Sequence, residues 1–435
     1  MRLTPAFRFF FIYFFLQVVP LDWKYYRELF SIDWTHLRYG DIFNLVHYSP
    51  AFFSGQQGYA DWVLIAGIAA AGTLLWGLGR RTKDNYDDLY YWIRVLVRYR
   101  LAAAIIAYGF VKLFPVLAPY PSLSNLNTNY GDFTRWKLFS LSLGIVPNYE
   151  SFLGFVEIVS GLLLLFRRSA TIGAFIISIF LGNVFVSNIA YEGGEQVYSL
   201  YLISLALFII SFDLRRLINL LILQKATPPN LVHPSLKEKW QRVSRLAIKS
   251  AFILFFVLYY GAKTHSGYVA GSYQYPVGSG LTGAAGLYNV TEFRINKDTL
   301  PYSRTDPKRW QDVVFEKWAT LSIRSNRPVL LDPNNVEKLT AAGIDRDYEL
   351  EGSAGRHYYH YEVDSLHQLL LLQNKNKNYA GEKWVLHYSR PDPSRIALSG
   401  IGPNKDSLYV VLDKVDKKYL LEEVIRRGRQ GGFKL

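Results

Sequence analysis

Residues 169–190 read SATIGAFIISIFLGNVFVSNIA, an apolar run with no ionisable side chain, opened by Arg167 and Arg168 and followed by Glu192. About twenty apolar residues carry a helix across the hydrocarbon of a bilayer. Backbone polar groups in that medium must be satisfied within the segment itself, which a helix does. The run therefore reads as a membrane-spanning helix. The same criterion finds six more candidates, at 5–20, 61–79, 91–114, 151–166, 196–213 and 247–263. The candidate at 151–166 is short, and Glu157 interrupts its apolar stretch from Phe152 to Phe166. Beyond residue 263 the long apolar runs stop and a polar, strand-like region follows. The expected fold is an α-helical multi-spanning membrane bundle of about seven transmembrane helices, followed by a β-rich soluble domain.

Composition agrees with this division. Half of the 435 residues are hydrophobic and only 19% are charged, below the roughly 25% usual in soluble domains. The mean hydropathy is nevertheless only +0.06, so apolar residues must be concentrated in part of the chain. A net charge of +14 invites a nucleic-acid reading, but the cations lie beside the apolar runs: Arg80, Arg81 and Lys83; Arg167 and Arg168; Arg215 and Arg216; Lys237, Lys239, Arg242, Arg245 and Lys249. That distribution fixes orientation in a membrane, and no nucleic-acid partner is expected. The lipid bilayer is the expected partner, with a membrane or periplasmic protein beside it. The chain has no cysteine, which excludes disulfides, Cys-ligated zinc, iron–sulfur clusters and thiol chemistry. Arg2 and Arg8 precede Phe9–Val19 as in a signal peptide, but no small-residue cleavage site follows, so an uncleaved first span is expected.

With the N-terminus inside, the inner flanks carry roughly eighteen Lys and Arg against about five outside. An odd number of spans then places the C-terminal region outside. The expected organisation is two spans with a long outer loop at 1–89, four spans at 90–213, and a basic cytoplasmic segment at 214–249. The last span follows at 250–266, then a Gly-rich linker at 267–286 and a β-rich outer domain at 287–435. The outer loops 21–60 and 115–150 read as structured caps or re-entrant segments. Leu214–Leu223 and Ser235–Lys249 read as helices along the inner surface. In the outer domain, polar–apolar alternation marks strands at Val290–Ile295, Trp318–Ile323, Pro328–Leu331, His357–Val363, Gln368–Leu372, Lys383–Tyr388, Arg395–Ser399 and Ser407–Asp413. A short helix is expected within Lys414–Arg427. His357 and His360 stand an odd step apart and point to opposite faces of a strand, so no metal site is expected. No catalytic constellation is evident.

Ionisable groups within spans are costly and are functional candidates by default. At about 1.5 Å of rise per residue, Lys112 lies about one turn below the outer surface, Glu157 roughly 9 Å down, and Asn183 at a similar depth. These three are the candidate ligand-binding cluster, with Arg98, Asn188 and Tyr108 as secondary candidates. Two readings stay open. One is a structural ion pair, with Asn183 as hydrogen-bonding glue. The other is an outward-opening pocket for a quinone-like or other amphipathic ligand, or a proton relay. Arg94, Arg98 and Arg100 are expected to snorkel toward inner headgroups, with Arg98 alternatively turned into the bundle.

Two stretches carry a resemblance: Tyr108-Gly109-Phe110-Val111-Lys112-Leu113-Phe114, and Gly154-Phe155-Val156-Glu157-Ile158-Val159-Ser160-Gly161 with the four leucines that follow. Arg167-Arg168 and Gly173-Ala174 come next. Over about residues 90–212 the chain resembles the DoxX family of small four-helix membrane proteins, and its longer arrangement resembles long DoxX-type proteins of Bacteroidota-like bacteria. The resemblance implies a bacterial inner membrane and a link to respiratory redox chemistry, since some members are subunits of a thiosulfate:quinone oxidoreductase. With no intrinsic redox cofactor evident in the sequence, any electron transfer would need a bound quinone or a partner. The competing expectation is a non-catalytic envelope protein that anchors a periplasmic interaction domain. A lipid or amphiphile transporter ranks last, because the spans show no inverted repeat.

Overall fold

The computed structural model describes residues 5–53, 58–78, 87–228, 238–271, 274–331, 339 and 346–428. The chain divides into two compact units, Met1–Pro115 with Asn148–Val269, and Val116–Pro147 with Ala270–Leu435. Val116–Pro147, placed by the sequence as a connection between two spans, thus folds with the C-terminal region.

In chain order the helices begin with α1 (Pro5–Val18), α2 (Trp23–Ser31), α3 (Tyr39–Val46), α4 (Tyr59–Leu78) and α5 (Asp87–Leu113). In the second unit lie α6 (Leu123–Leu126) and α7 (Arg135–Gly144). The first unit resumes with α8 (Pro147–Leu164), α9 (Ala170–Ala190), α10 (Gln196–Ser211), α11 (Leu214–Leu217), α12 (Lys239–Ile253) and α13 (Tyr260–Val269). Wider helical turns at Ile218–Ile222 and Leu254–Tyr259 continue α11 and join α12 to α13.

All seven apolar runs are helical, but the expected seven spans are not supported by length and composition. Four helices are long and apolar enough to cross a membrane: Pro5–Ser31, Tyr59–Leu78, Ala170–Ala190 and Lys239–Val269. A fifth is reached only by counting α10 with Leu214–Ile222, a pair bent by 69°. The others fall short on length or charge, α10 with 16 residues and α5 with Arg94, Arg98, Arg100 and Lys112 within it; the four that pass also face outward. Those four bury at most 28% of their apolar window, leaving apolar side chains such as Leu74, Leu75 and Ile179 exposed. α5 is the reverse. It buries Ile93, Val97, Leu101–Ala107 and Val111, and with them Arg94 and Arg98. Hydropathy counted along the sequence treats an internal helix and a lipid-facing one alike. The Ser235–Lys249 helix is described from residue 238 onward, where it runs without a break into the last candidate span.

Small residues set how α5 and α8 cross. A Cβ on Gly154 would collide with the backbone of Gly109, Lys112 and Leu113, and one on Gly109 with that of Gly154 and Ile158. Close approach of this kind is what glycines permit at helix crossings. It sets Lys112 and Glu157, each a turn or less beyond the contact, on neighbouring faces.

The second unit is built on β1 (Gly286–Ile295), β2 (Asp298–Thr299), β3 (Asp312–Phe315), β4 (Thr320–Arg324), β5 (His357–Asp364), β6 (Leu369–Asn374), β7 (Lys383–Asp392), β8 (Arg395–Ile401) and β9 (Ser407–Lys414), followed by α14 (Leu420–Arg427). Successive strands pair antiparallel, β1 pairs with β3, and β9 closes back onto β1. The result is an eight-strand barrel with β2 as a short appendage. Its interior is filled by Tyr288, Phe293, Phe315, Tyr361, Leu386 and Leu412 among others, as expected of a barrel this small.

Pro328–Leu331 is not a strand, and β3 is one that alternation does not reveal. β3 and β4 are buried almost throughout, because the α6 segment covers their outer side. There Glu316 accepts hydrogen bonds from Leu123 N at 3.1 Å, Ser124 N at 2.7 Å and Ser124 Oγ at 2.6 Å. Arg356 donates to Ser322 Oγ at 2.7 Å, Asp312 Oδ1 at 2.5 Å and Asn127 O at 3.2 Å. The Gly-rich linker is tied down too: Tyr275 stacks on Trp318 at 4.2 Å and donates to Tyr120 O at 2.5 Å.

Candidate functional site

The Gly109–Gly154 crossing brings Lys112 Nζ to 2.7 Å from Glu157 Oε1. The side chains are 14% and 3% exposed, so the pair is almost wholly desolvated. Two aromatic rings flank the ammonium, Tyr108 at 5.4 Å and Phe180 of α9 at 5.6 Å, close enough for a cation–π attraction. Glu157 Oε2 is buried and has no hydrogen-bond partner among the described residues.

The other polar residues named from the sequence divide. Tyr108 belongs to this cluster. Asn183 does not: it is exposed on α9, and no hydrogen bond joins it to Lys112 or Glu157 among the described residues. Asn188 closes the turn into α10, donating to Val184 O at 3.0 Å and accepting from Glu195 N at 3.2 Å. Arg98 lies about four turns from Lys112 along α5, where Nε and Nη2 both donate to Leu164 O at 2.8 and 2.6 Å. The snorkelling expected of the three arginines is not what is found, since internal acceptors take all three. Arg94 pairs with Asp213 at 2.8 Å. Arg100 donates to the carbonyls of Val46, at 2.9 Å, and Tyr48.

Sequence reasoning missed what stands on the other side of Tyr108. The end of α3, held by Arg100 and by Tyr198 Oη donating to Val46 O at 3.4 Å, turns His47 inward. His47 Nε2 is 3.1 Å from Glu195 Oε2, and its ring lies 4.1 Å from Tyr198 and 5.8 Å from Tyr108. Tyr108 thus stands between the Lys112–Glu157 ion pair and the His47–Glu195 contact. His47 and Glu195 are 148 residues apart, and neither lies in a motif, so no local signal joins them.

Chemically, the arrangement offers an ammonium with spare donors, a carboxylate oxygen with spare acceptor capacity, and flat aromatic surfaces. No group of three or more His, Asp or Glu suited to a metal occurs among the described residues. No family model, curated protein or solved structure matches the chain.

Proposed function

We propose that this chain is an integral membrane protein of DoxX type in a bacterial inner membrane, whose helical unit binds the headgroup of a quinone beside Lys112, Glu157 and Tyr108 as an accessory to a respiratory redox complex. The observation that carries this reading is the unpartnered, buried Oε2 of Glu157. A buried acceptor without a donor costs about 1–3 kcal/mol, and a ligand hydroxyl would relieve that while Lys112 donates to a carbonyl. The charges of α5 do not argue against its lying in the bilayer with α8 and α10 as a seven-helix bundle, because each is turned toward an internal partner. Exposed cations at Arg168, Arg215, Arg216 and Arg242 favour a cytoplasmic inner face, and with it a periplasmic barrel.

The test is solvent extraction of detergent-purified protein with mass spectrometry for quinones, followed by titration with decylubiquinone. A bound quinone and saturable binding, weakened at least tenfold by Glu157→Gln and unchanged by Asn183→Ala, are expected. Protein that yields no quinone and binds none would overturn the reading.

A specific observation favours the alternative, a non-catalytic envelope protein presenting the barrel. Leu371, Val385 and Ile401 are exposed and lie directly opposite one another across β6, β7 and β8. On that reading, cross-linking of the full chain in membranes captures a defined partner, and replacing all three by serine abolishes the capture.

A further inference from the structure

α5 begins at Asp87, eleven residues before Arg98, so it projects about 16 Å past the level at which Arg98 meets the end of α8. The overhang leaves a shallow recess, with room for about one water, lined by Tyr90, Tyr91, Arg94, Val95, Arg98 and Arg167. Arg94 has its counter-ion in Asp213, whose Oδ2 also accepts from Thr171 Oγ1 at 2.6 Å. Arg98 has none. It is 4% exposed, its Nε–Nη2 edge is spent on the carbonyl of Leu164, and no carboxylate reaches it among the described residues. The charges acting on it are those of Arg94 and Arg167, with Lys249 of α12 also in range.

A carbonyl caps a guanidinium but does not neutralise it, and a buried cation without a counter-charge is costly. The remaining Nη1–Nη2 edge is a second planar fork, the geometry that takes two oxygens of a phosphate. From this geometry we infer that the mouth of the recess is an anion site for a phosphate group, supplied by a phospholipid headgroup or by a soluble phosphate, whose oxygens reach in to Arg98 as principal ligand, with Arg94 and Arg167 at the rim. The site lies about 21 Å along α5 from Lys112 and does not depend on the reading of that pair.

The test uses the full chain in mild detergent. Native mass spectrometry is run with added phosphatidylglycerol, and thermal unfolding is followed with added inorganic phosphate. One retained phosphatidylglycerol per chain identifies the source as lipid. Stabilisation by phosphate without lipid retention identifies a soluble anion. In either case Arg98→Gln weakens binding at least tenfold, Arg98→Lys weakens it less, and Arg168→Gln leaves it unchanged. If Arg98→Gln does not fold, Arg167→Gln is expected to weaken the same binding three- to tenfold. Neither ligand binding to the wild type, or binding that no recess variant alters, would overturn the inference.

Discussion

A lysine and a glutamate taken out of water together stabilise each other only while both remain. Lys112→Ala leaves the Glu157 carboxylate buried and unpaired, and a loss of about 3–5 kcal/mol is expected. Replacing both, Lys112→Met with Glu157→Leu, should cost less than either single change, as read by thermal unfolding in detergent. A double variant less stable than both singles would show that the pair itself supplies net stability. In the barrel unit, burial and then the neighbouring Glu349 carboxylate raise Glu316 to about 7. The folded state therefore keeps this proton to a higher pH than the unfolded chain does. Its contribution to stability is greatest below the ordinary carboxylate range and falls as the pH rises toward 7. His357, lowered to about 4 by burial and by Arg327, acts in the opposite direction over much of that window, so only a comparison with a variant isolates Glu316. Glu316→Gln should gain on the wild type by up to about 3 kcal/mol between pH 4.5 and 7. A difference that stays constant with pH would contradict this assignment. At this scale the sequence was partly legible. Depth along a helix predicted that Lys112 and Glu157 meet, but depth gives height and not azimuth. The buried stripe of α9 is Ala170, Gly173, Ala174, Ile177 and Leu181, and Asn183, two residues past Leu181, faces away from it. No polar face marks that stripe in the sequence, because α9 is apolar on nearly every side.

Among elements, the α5–α8 crossing depends on two glycines. Gly154→Ala should destabilise the helical unit by about 1–3 kcal/mol through overpacking. Gly182→Ala, where an added Cβ meets nothing within 4 Å, should be neutral or stabilising by up to about 1 kcal/mol. Thermal unfolding of the two variants side by side reads the difference, and equal effects would mean that the crossing is not tight. Hydropathy located every long helix, because burial in lipid or in a bundle demands the same apolar run. It did not rank them, since the charges of α5 are satisfied by Asp213, Leu164, Val46 and Glu157, far away in sequence. The strands of the barrel itself followed from alternation except β3, whose Val313, Val314 and Phe315 are all buried. A strand covered on both faces has no polar side to alternate with.

For the whole molecule, the chain passes between the two units three times, after Pro115, after Pro147 and after Val269. The barrel unit is therefore completed by a segment inserted between the two helices that carry Lys112 and Glu157. No composition shift marks that insertion, because Val116–Pro147 is held by Glu316, Arg356 and the Tyr348 carbonyl, which accepts from Lys137, and such tertiary partners leave no local trace. The proposed function requires the apolar helices to lie in lipid and the barrel in water. The natural absence of cysteine allows a direct measurement with single-cysteine variants and a bulky membrane-impermeant maleimide. Ile179→Cys tests a residue 68% exposed on α9, and Leu366→Cys one 86% exposed in the barrel. In sealed spheroplasts Leu366→Cys should be labelled from outside, while Ile179→Cys should resist labelling until the membrane is dissolved in denaturant. Labelling of Ile179→Cys at the rate of Leu366→Cys in intact membranes would contradict the account.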